Sequence, residues 1–154
     1  MIVVKRWIGV KKMTNKKLGN KFENELAETL YEEYGYWVHL LNQNKSGQPA
    51  DIIAVKNKRS HLIDAKVCSK NNFRLNRIEE NQHMAMKEWQ ERGNGVGWFA
   101  LKVDSGIYMI PYTTLMFLSN QKKVIPYTDI ITYGYKLESW VKVVNYERLD
   151  RNKG

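Results

Sequence analysis

The 154-residue sequence contains one cysteine, Cys68, and three prolines. A single cysteine excludes an intrachain disulfide and a cysteine-rich zinc site, and it is typical of proteins in a reducing compartment. No apolar run approaches the roughly 20 residues that a membrane span requires, and no signal peptide or anchor is evident. We therefore expect a cytoplasmic protein without a membrane segment.

Acidic residues are scarce relative to basic ones, with 16 Asp and Glu against 25 Lys and Arg and a formal net charge of +9. Such an excess attracts polyanions through phosphate contacts, which makes nucleic acid the natural partner, although solvated lysines alone give the same balance. Residues 1–21 hold seven basic residues and no acidic one. We interpret 1–18 as a basic N-terminal arm, with a solvated terminus as the alternative.

The composition, 43% hydrophobic and 12% aromatic, favours one folded core. We expect a single domain over 19–150 and a short tail at 151–154. Apolar spacing predicts helices at 20–34, capped by Asn20, at 78–92, and at 113–118, capped by Thr113. Strands are predicted at 36–41, 51–55, 60–67, 97–103 and 107–110, and 124–145 has no confident assignment. This order indicates an α/β or α+β sheet flanked by helices.

Two acids and a lysine interrupt the apolar strands 51–55 and 60–67, which we interpret as a β-hairpin. Isolated charges are costly to bury unless they are paired or bind a metal. Side chains alternate along a strand, so Asp64 and Lys66 face one side. If the start of the first strand pairs with the end of the second, Asp51 lies beside Asp64, and a cation would relieve their repulsion. An ion pair with Lys66 is the alternative.

This arrangement of charges points to metal-assisted chemistry on a phosphate. Carboxylate oxygens suit a hard ion such as Mg²⁺, which also binds substrate phosphate. A bound metal acidifies an attacking water and offsets negative charge on phosphorus. Lys66 can orient or deprotonate that water and offset charge in the transition state.

Two helical residues are candidates to complete the site. Glu23 shares a helical stripe with Ala27 and Leu30, so it lies at the edge of the buried face and can reach the metal. Gln82 lies on the apolar stripe of the second helix with Met86, where an amide needs a polar partner. Both positions are also compatible with an ordinary amphipathic edge.

In chain order these residues form the series Gly19 to Glu23, Pro49-Ala50-Asp51, Asp64-Ala65-Lys66 and Gln82. The series resembles the PD-(D/E)XK nuclease pattern, in particular Holliday-junction resolvases of the bacterial and phage RecU-like type and of the archaeal Hjc type. The similarity covers about residues 16–115. It departs from those resolvases at Asp64, where they more often have glutamate, and the basic arm has no strong counterpart.

The resemblance implies a restriction-endonuclease-like mixed β-sheet with a helix-β-β-β-helix-β core. It also implies two-metal phosphodiester hydrolysis with Mg²⁺, for which Mn²⁺ substitutes. Resolvases of this kind are homodimers that act on four-way junctions in DNA recombination and repair. The metal ligands that it implies are Glu23, Asp51, Asp64 and Ala65, with Lys66 beside the water and Gln82 in support.

Basic residues on both sides of the proposed site are candidates to contact the DNA backbone. Phe73, in the basic connection after Lys66, can also insert at a junction, although a solvated loop is an equal alternative. Linear or single-stranded DNA is an alternative substrate, and a non-catalytic DNA-binding protein of the same fold is a third interpretation. The candidate DNA-binding residues are Lys16, Lys17, Lys21, Lys45, Lys70, Arg74 and Arg77.

Overall fold

A computed structural model describes residues 18–41 and 48–153 of the chain. The described part contains five α-helices, α1 (Leu18–Glu32), α2 (Glu80–Glu91), α3 (Tyr112–Ser119), α4 (Tyr127–Tyr133) and α5 (Leu137–Lys153). Its eight strands are β1 (Trp37–Leu40), β2 (Ile52–Lys56), β3 (Arg59–Val67), β4 (Phe73–Arg74), β5 (Trp98–Val103), β6 (Gly106–Pro111), β7 (Val124–Ile125) and β8 (Tyr135–Lys136).

Six of these strands form one mixed sheet in the order β1-β2-β3-β5-β6-β8, and β4 pairs with β7 in a separate two-stranded sheet. The pairing of β3 with β5 is parallel, and the other pairings are antiparallel. The connection from β3 to β5 therefore crosses over, and it contains α2. This is the predicted mixed sheet flanked by helices.

The hairpin formed by β2 and β3 is closed by the two residues Asn57 and Lys58. Their φ angles are 53° and 65°, which gives the turn the left-handed conformation at both positions that favours right-handed strand twist. Lys56 then pairs with Arg59, and four residues further along each strand Ile52 lies opposite Ile63. The turn thus sets the register at the far end of the hairpin.

Each face of the large sheet buries its own hydrophobic cluster. On one face α1 and α5 pack through residues such as Leu26, Leu30 and Trp140, all fully buried. On the other face α2, α3 and α4 contribute residues that include Met86 and Leu115. The sheet is therefore covered by helices on both sides, and β3 runs through its interior.

The two predicted helix caps were wrong. The first helix already begins at Leu18, so Asn20 lies within it. The third begins at Tyr112, directly after β6, because Pro111 in an extended conformation ends the strand and serves as the N-cap in place of Thr113. The second helix begins at Glu80, and Glu79 forms a capping box with Gln82.

The unassigned stretch 124–145 contains β7, α4, β8 and the first part of α5. Trp140 of α5 is fully buried, which ties this last helix to the core. The helix continues to Lys153, into the range that we interpreted as a tail. Within 18–41 and 48–153, none of the helices has both the length and the apolar character to cross a membrane.

Candidate active site

The β2–β3 hairpin brings Asp51 and Asp64 together. Asp51 directly precedes β2, and its N–H donates to the Ile63 carbonyl at 3.1 Å, which sets it across from Asp64. One Asp51 carboxylate oxygen accepts a hydrogen bond of 2.7 Å from the N–H of Ala65. The exposed fractions are 4% for Asp51 and 0% for Asp64. Two buried acids thus lie side by side at the end of the hairpin.

The electrostatics of this pocket disfavour ionised acids. Burial raises the pKa of Asp64 well above its ordinary value, and the neighbouring Asp51 raises it further, while Lys66 opposes the shift. Burial also raises the pKa of Glu23 to about 8, with contributions from the charge of Asp51 and a hydrogen bond to it. Glu23 of α1 therefore faces the same carboxylates. A cation placed among them would remove the repulsion.

Lys66 and Gln82 are held together beside Asp64. Lys66 Nζ lies 3.3 Å from Asp64 Oδ2 and donates to Gln82 Oε1, also at 3.3 Å. Gln82 Nε2 donates to Asp64 Oδ1 at 3.1 Å, and its Oε1 also accepts from the Glu79 N–H at 3.0 Å. The amide of Gln82 thus fixes the acid and the lysine relative to each other. It is 5% exposed, and these contacts supply the polar partners that a buried amide needs.

Gln48 and Asn81 belong to this site, and sequence reasoning missed both. The Gln48 side-chain amide donates to Asp51 Oδ1, and Asn81 Nδ2 donates to the Gln48 carbonyl at 2.9 Å. Gln48 is 9% exposed despite its position in a polar loop segment. Its proximity to Asp51, three residues away, was the one available signal, because neither residue follows a periodic pattern.

The residues present fit a divalent metal by their chemistry. Asp64 Oδ2 is buried and makes no hydrogen bond within the described residues, although the Lys66 ammonium lies 3.3 Å away, so this oxygen can still accept a cation. Carboxylates are the donors that hard divalent ions prefer. Within the described ranges, no three His, Cys, Asp or Glu side chains form a ready-made metal cage. The site is therefore a cluster of mutually repelling acids that a cation would draw together.

Ala65 contributes its backbone rather than its side chain. In an extended strand the N–H and C=O of one residue point to the same edge. The N–H of Ala65 meets the Asp51 carboxylate at 2.7 Å. Its carbonyl oxygen therefore faces the same edge as the acids.

The structure describes the side chains of four of the seven candidate DNA-binding residues. Lys16, Lys17 and Lys45 lie where no side chain is described. Lys21 is exposed on α1, and Lys70 and Arg74 are exposed between β3 and α2. Arg77 is also exposed, but it donates to the Val67 carbonyl at 2.8 Å.

The expectation that Phe73 inserts into a junction was wrong. Its side chain is fully buried and packs against Phe99, with ring centroids 6.1 Å apart. The guanidinium of Arg77 lies over the Phe73 ring, 5.6 Å from its centroid. This phenylalanine instead anchors the connection after β3 to the core.

A hairpin with two buried acids and a lysine, followed by a helix that supplies a glutamine, defines the PD-(D/E)XK nuclease class. The fold is similar to that of Hjc from Archaeoglobus fulgidus, described as a Holliday junction resolvase from an archaeal hyperthermophile. The two share 16% identity, the alignment covers 82% of this chain and 97% of Hjc, and the TM-score is 0.62. No curated relative matches the sequence significantly.

The model of the family RecU, Recombination protein U, matches residues 43–149, and the chain belongs to this family. It is a family of Holliday-junction resolvases, which are metal-dependent endonucleases, so the predicted enzyme class is confirmed. The match includes Asp51, Asp64, Lys66 and Gln82. Glu23 lies outside it, so its place in the site rests on the geometry of α1 alone.

Proposed function

We propose that this chain, acting as a homodimer, nicks the strands of four-way DNA junctions by Mg²⁺-dependent hydrolysis of phosphodiester bonds. The observation that carries the proposal is the pair of buried acids, Asp51 and Asp64, facing each other across the hairpin with Lys66 at 3.3 Å from Asp64. An ordinary structural ion pair requires one acid. The second buried acid calls for additional positive charge.

In this proposal the metal is held by the carboxylates of Glu23, Asp51 and Asp64 and by the carbonyl of Ala65. Support comes from the raised pKa of Glu23 and Asp64, which reflects first their burial and then the negative charge of the neighbouring Asp51. When bound, Mg²⁺ supplies positive charge for the phosphate oxygens and acidifies the attacking water, and Mn²⁺ substitutes for it.

The proposed role of Lys66 is to orient the attacking water and to stabilise the charge that develops on phosphorus. Its side chain is 14% exposed, and its ammonium is held between Asp64 and Gln82, so it needs little reorganisation during the reaction. Water forms the new bond to phosphorus and releases a proton to solvent, the bond from phosphorus to the leaving sugar oxygen breaks, and that oxygen takes up a proton from solvent. Gln82 acts on the reaction by positioning Asp64 and Lys66.

We further propose that the DNA backbone follows the basic residues around the pocket. Lys70 and Arg74 are exposed on the connection that leaves β3 two residues after Lys66. Phosphate contacts of this kind set the position of the duplex without reading its sequence. The other residues proposed to contact the DNA backbone are Lys16, Lys17, Lys21, Lys45 and Arg77.

A substrate panel tests the function. The protein is incubated with a four-way junction, a flap, a linear duplex and a single strand of matched sequence, each with Mg²⁺ and with EDTA. We expect paired nicks in the junction with Mg²⁺ and none with EDTA. Equal cleavage of linear duplex would refute the junction selectivity, and cleavage in EDTA would refute the metal.

Two variants make the panel specific to the site. Asp51→Asn should abolish cleavage while junction binding is retained, because it removes charge from the metal site and leaves the basic surface intact. Asp104→Asn is the matched control, since Asp104 lies on the exposed turn between β5 and β6. Undiminished cleavage by Asp51→Asn would refute the assigned centre.

A further inference from the structure

A cavity of about 450 Å³ lies where β3 begins, at the other end of this strand from the candidate active site. Arg59 in its lining is five residues before Asp64, which places the cavity roughly 17 Å from that acid along an extended strand. We call it the end cavity. Its lining includes Lys58, Arg59, Ser60, His61 and the loop 93–96 that joins α2 to β5.

The charges of the end cavity are positive. Lys58 of the hairpin turn and Arg59 of β3 bring two cations to the lining, and none of the described lining residues is acidic. Burial lowers the pKa of His61 to about 4, and the positive charge of Arg59 adds to this effect. The charge of Arg59 therefore acts on the wall of the cavity, where a positive potential attracts an anion.

His61 is a buried polar group at this wall. It is 8% exposed, and its ring lies against the rings of Trp140 and Tyr36, with centroids 5.0 Å and 6.2 Å away. Neither nitrogen of the imidazole forms a hydrogen bond with a described residue. Buried polar groups normally have a partner, and a neutral imidazole retains one N–H that can donate to an anion.

The loop 93–96 presents backbone donors to the same cavity. Gly93 and Gly95 have φ angles of 89° and 81°, a conformation that glycine adopts without strain. The N–H groups of Gly93 and Asn94 donate back to carbonyls of α2, whereas those of Gly95 and Val96 donate to no described residue. Backbone N–H groups in such left-handed turns form concavities that bind anions.

We propose that the end cavity binds a phosphate group, carried either by a DNA backbone or by a free nucleotide. A phosphate presents several acceptor oxygens, which suit an ammonium, a guanidinium, an imidazole N–H and two backbone amides together. A guanidinium also matches phosphate with two parallel hydrogen bonds. Only the DNA source rests on the proposed function, and it adds a backbone contact remote from the hydrolytic centre.

An NMR titration of the full ¹⁵N-labelled chain tests for the phosphate site. Inorganic phosphate, a mononucleotide, acetate and chloride are added at matched ionic strength in EDTA, so that no metal recruits phosphate to the acids. We expect saturable shifts of the Gly95 and Val96 amide signals with phosphate and with the mononucleotide. Shifts that do not saturate overturn the site, and saturation by acetate at equal affinity overturns the ligand class.

A charge reversal connects the binding to the lining. Lys58→Glu should weaken phosphate binding at least about 10-fold, which corresponds to about 1.4 kcal/mol. Lys58 is exposed on the turn, and urea unfolding verifies that the variant is folded. Lys87→Glu is the matched control, because it makes the same charge change at an exposed position of α2 outside the lining. Equal phosphate affinity in the two variants would overturn the proposal.

Junction binding in EDTA distinguishes the two sources of the phosphate. If the DNA backbone supplies it, Lys58→Glu reduces the slope of log Kd against log salt by at least about 1 more than Lys87→Glu does. If a nucleotide supplies it, the two variants bind the junction alike, and the mononucleotide binds more tightly than inorganic phosphate. Equal junction binding together with a mononucleotide no tighter than inorganic phosphate overturns both sources.

The outcomes for the site and for the proposed function are separable. A chain that cuts junctions but shows no saturable phosphate binding refutes the end cavity alone. A chain that binds phosphate through Lys58 but cleaves no substrate supports the end cavity and refutes the proposed activity.

Discussion

Lys66 is held from two directions, by the Asp64 carboxylate and by the side-chain oxygen of Gln82. We expect Lys66→Ala to slow junction cleavage by about 10²–10⁴-fold, because the ammonium that orients water and offsets transition-state charge is lost. Single-turnover cleavage with saturating protein measures this rate. Junction affinity should change little, since Lys66 is largely buried.

A lysine outside the site provides the comparison for Lys66. Lys102, on β5, also contacts a carboxylate, that of Glu25 at 3.4 Å, which is not one of the acids of the site. Lys102→Ala should cleave within about twofold of wild type, as expected for a removed surface ion pair. If Lys66→Ala were no slower than Lys102→Ala, the assigned role of Lys66 would be wrong.

Glu23 makes a second prediction at the scale of one residue. Its pKa of about 8 in the fold, against 4.5 ordinarily, means that at pH 7 the unfolded chain ionises it and the fold does not. This carboxyl therefore destabilises the metal-free fold. Glu23→Gln should raise the free energy of unfolding in EDTA by about 1–3 kcal/mol at pH 7. It should also reduce the stabilisation by Mg²⁺.

Urea unfolding at pH 7, with EDTA and with Mg²⁺, measures both effects. Glu25→Gln is the matched control on the same helix, because Glu25 pairs with Lys102 rather than with the acids of the site. It should move stability by less than about 1 kcal/mol in either buffer. A destabilised Glu23→Gln protein in EDTA would contradict the assigned pKa shift.

The residues of the site differ in how far the sequence foretold them. A charge within an apolar strand is conspicuous because its burial is costly, which is why Asp51, Asp64 and Lys66 were predicted together. Gln48 and Asn81 lie at positions where polar side chains are ordinary. Their burial and their contacts with each other depend on how α2 packs beside the loop, and this packing is not encoded in local spacing.

At the scale of elements, the two-stranded sheet of β4 and β7 brings Arg74 close to further basic residues. Arg74 of β4 lies opposite Val124, and Leu75 N–H donates to the Lys123 carbonyl at 3.0 Å. Arg74, Lys122 and Lys123 therefore line one small cavity of about 290 Å³. Lys122 also pairs with Asp129, so Arg74 and Lys123 are the freer cations of this cavity.

We expect the double variant Arg74→Ala and Lys123→Ala to weaken junction binding and to reduce the slope of log Kd against log salt by about 2. Each lost phosphate contact removes about one unit of slope. Fluorescence anisotropy over a salt series gives both values. Lys142→Ala with Lys136→Ala is the control, since both lysines are exposed and lie near or on α5. An unchanged slope would show that DNA does not reach β4 and β7.

The elements were predicted best where local chemistry defines them. The hairpin was found because two apolar runs flank a charged turn, and its strands agree with β2 and β3 within a residue. The stretch 124–145 was not assigned, because β7 and β8 have two residues each and gain their structure from pairing with β4 and β6. Pairing partners distant in sequence leave no local pattern.

At the scale of the whole molecule, buried titratable groups should lower the stability of the fold both at acidic pH and at higher pH. Burial lowers the pKa of His61 to about 4, from 6.5. As pH falls, the unfolded chain therefore takes up a proton on His61 before the folded chain does. The stability that neutral His61 contributes to the fold is complete above pH 6.5 and is lost as pH falls towards 4. Glu23 and Asp64 act oppositely, because their raised pKa values lower stability as pH rises above their ordinary values.

We therefore expect metal-free protein to be most stable at mildly acidic pH, and Mg²⁺ to move the maximum upwards. His61→Gln should flatten the loss between pH 6.5 and 4, which otherwise reaches about 2–3 kcal/mol. Urea unfolding in EDTA at intervals of half a pH unit measures the curve. His39→Gln, at an exposed position on β1, should leave its shape unchanged. A variant curve as steep as wild type would contradict the assignment to His61.

The sheet also explains why the enzyme class could be predicted but surface features could not. The class depends on a few residues within one hairpin and one helix. An apolar groove along α2 consists of side chains from β2, β3 and α2 that meet only after folding. Met84 and Glu88 look like ordinary solvent-facing helix positions in the sequence.

The two-residue turn at Asn57 and Lys58 has a consequence for how the enzyme tolerates change in length. Side chains alternate with a period of two, so a pairing shifted by one residue turns every side chain to the opposite face. One inserted residue at this turn would carry Asp64 into the α1 face of the sheet and bring Ala65 opposite Asp51. The turn thus fixes the strand register of the active site although it does not contact the site. Substitutions at the turn should therefore impair activity less than insertions do.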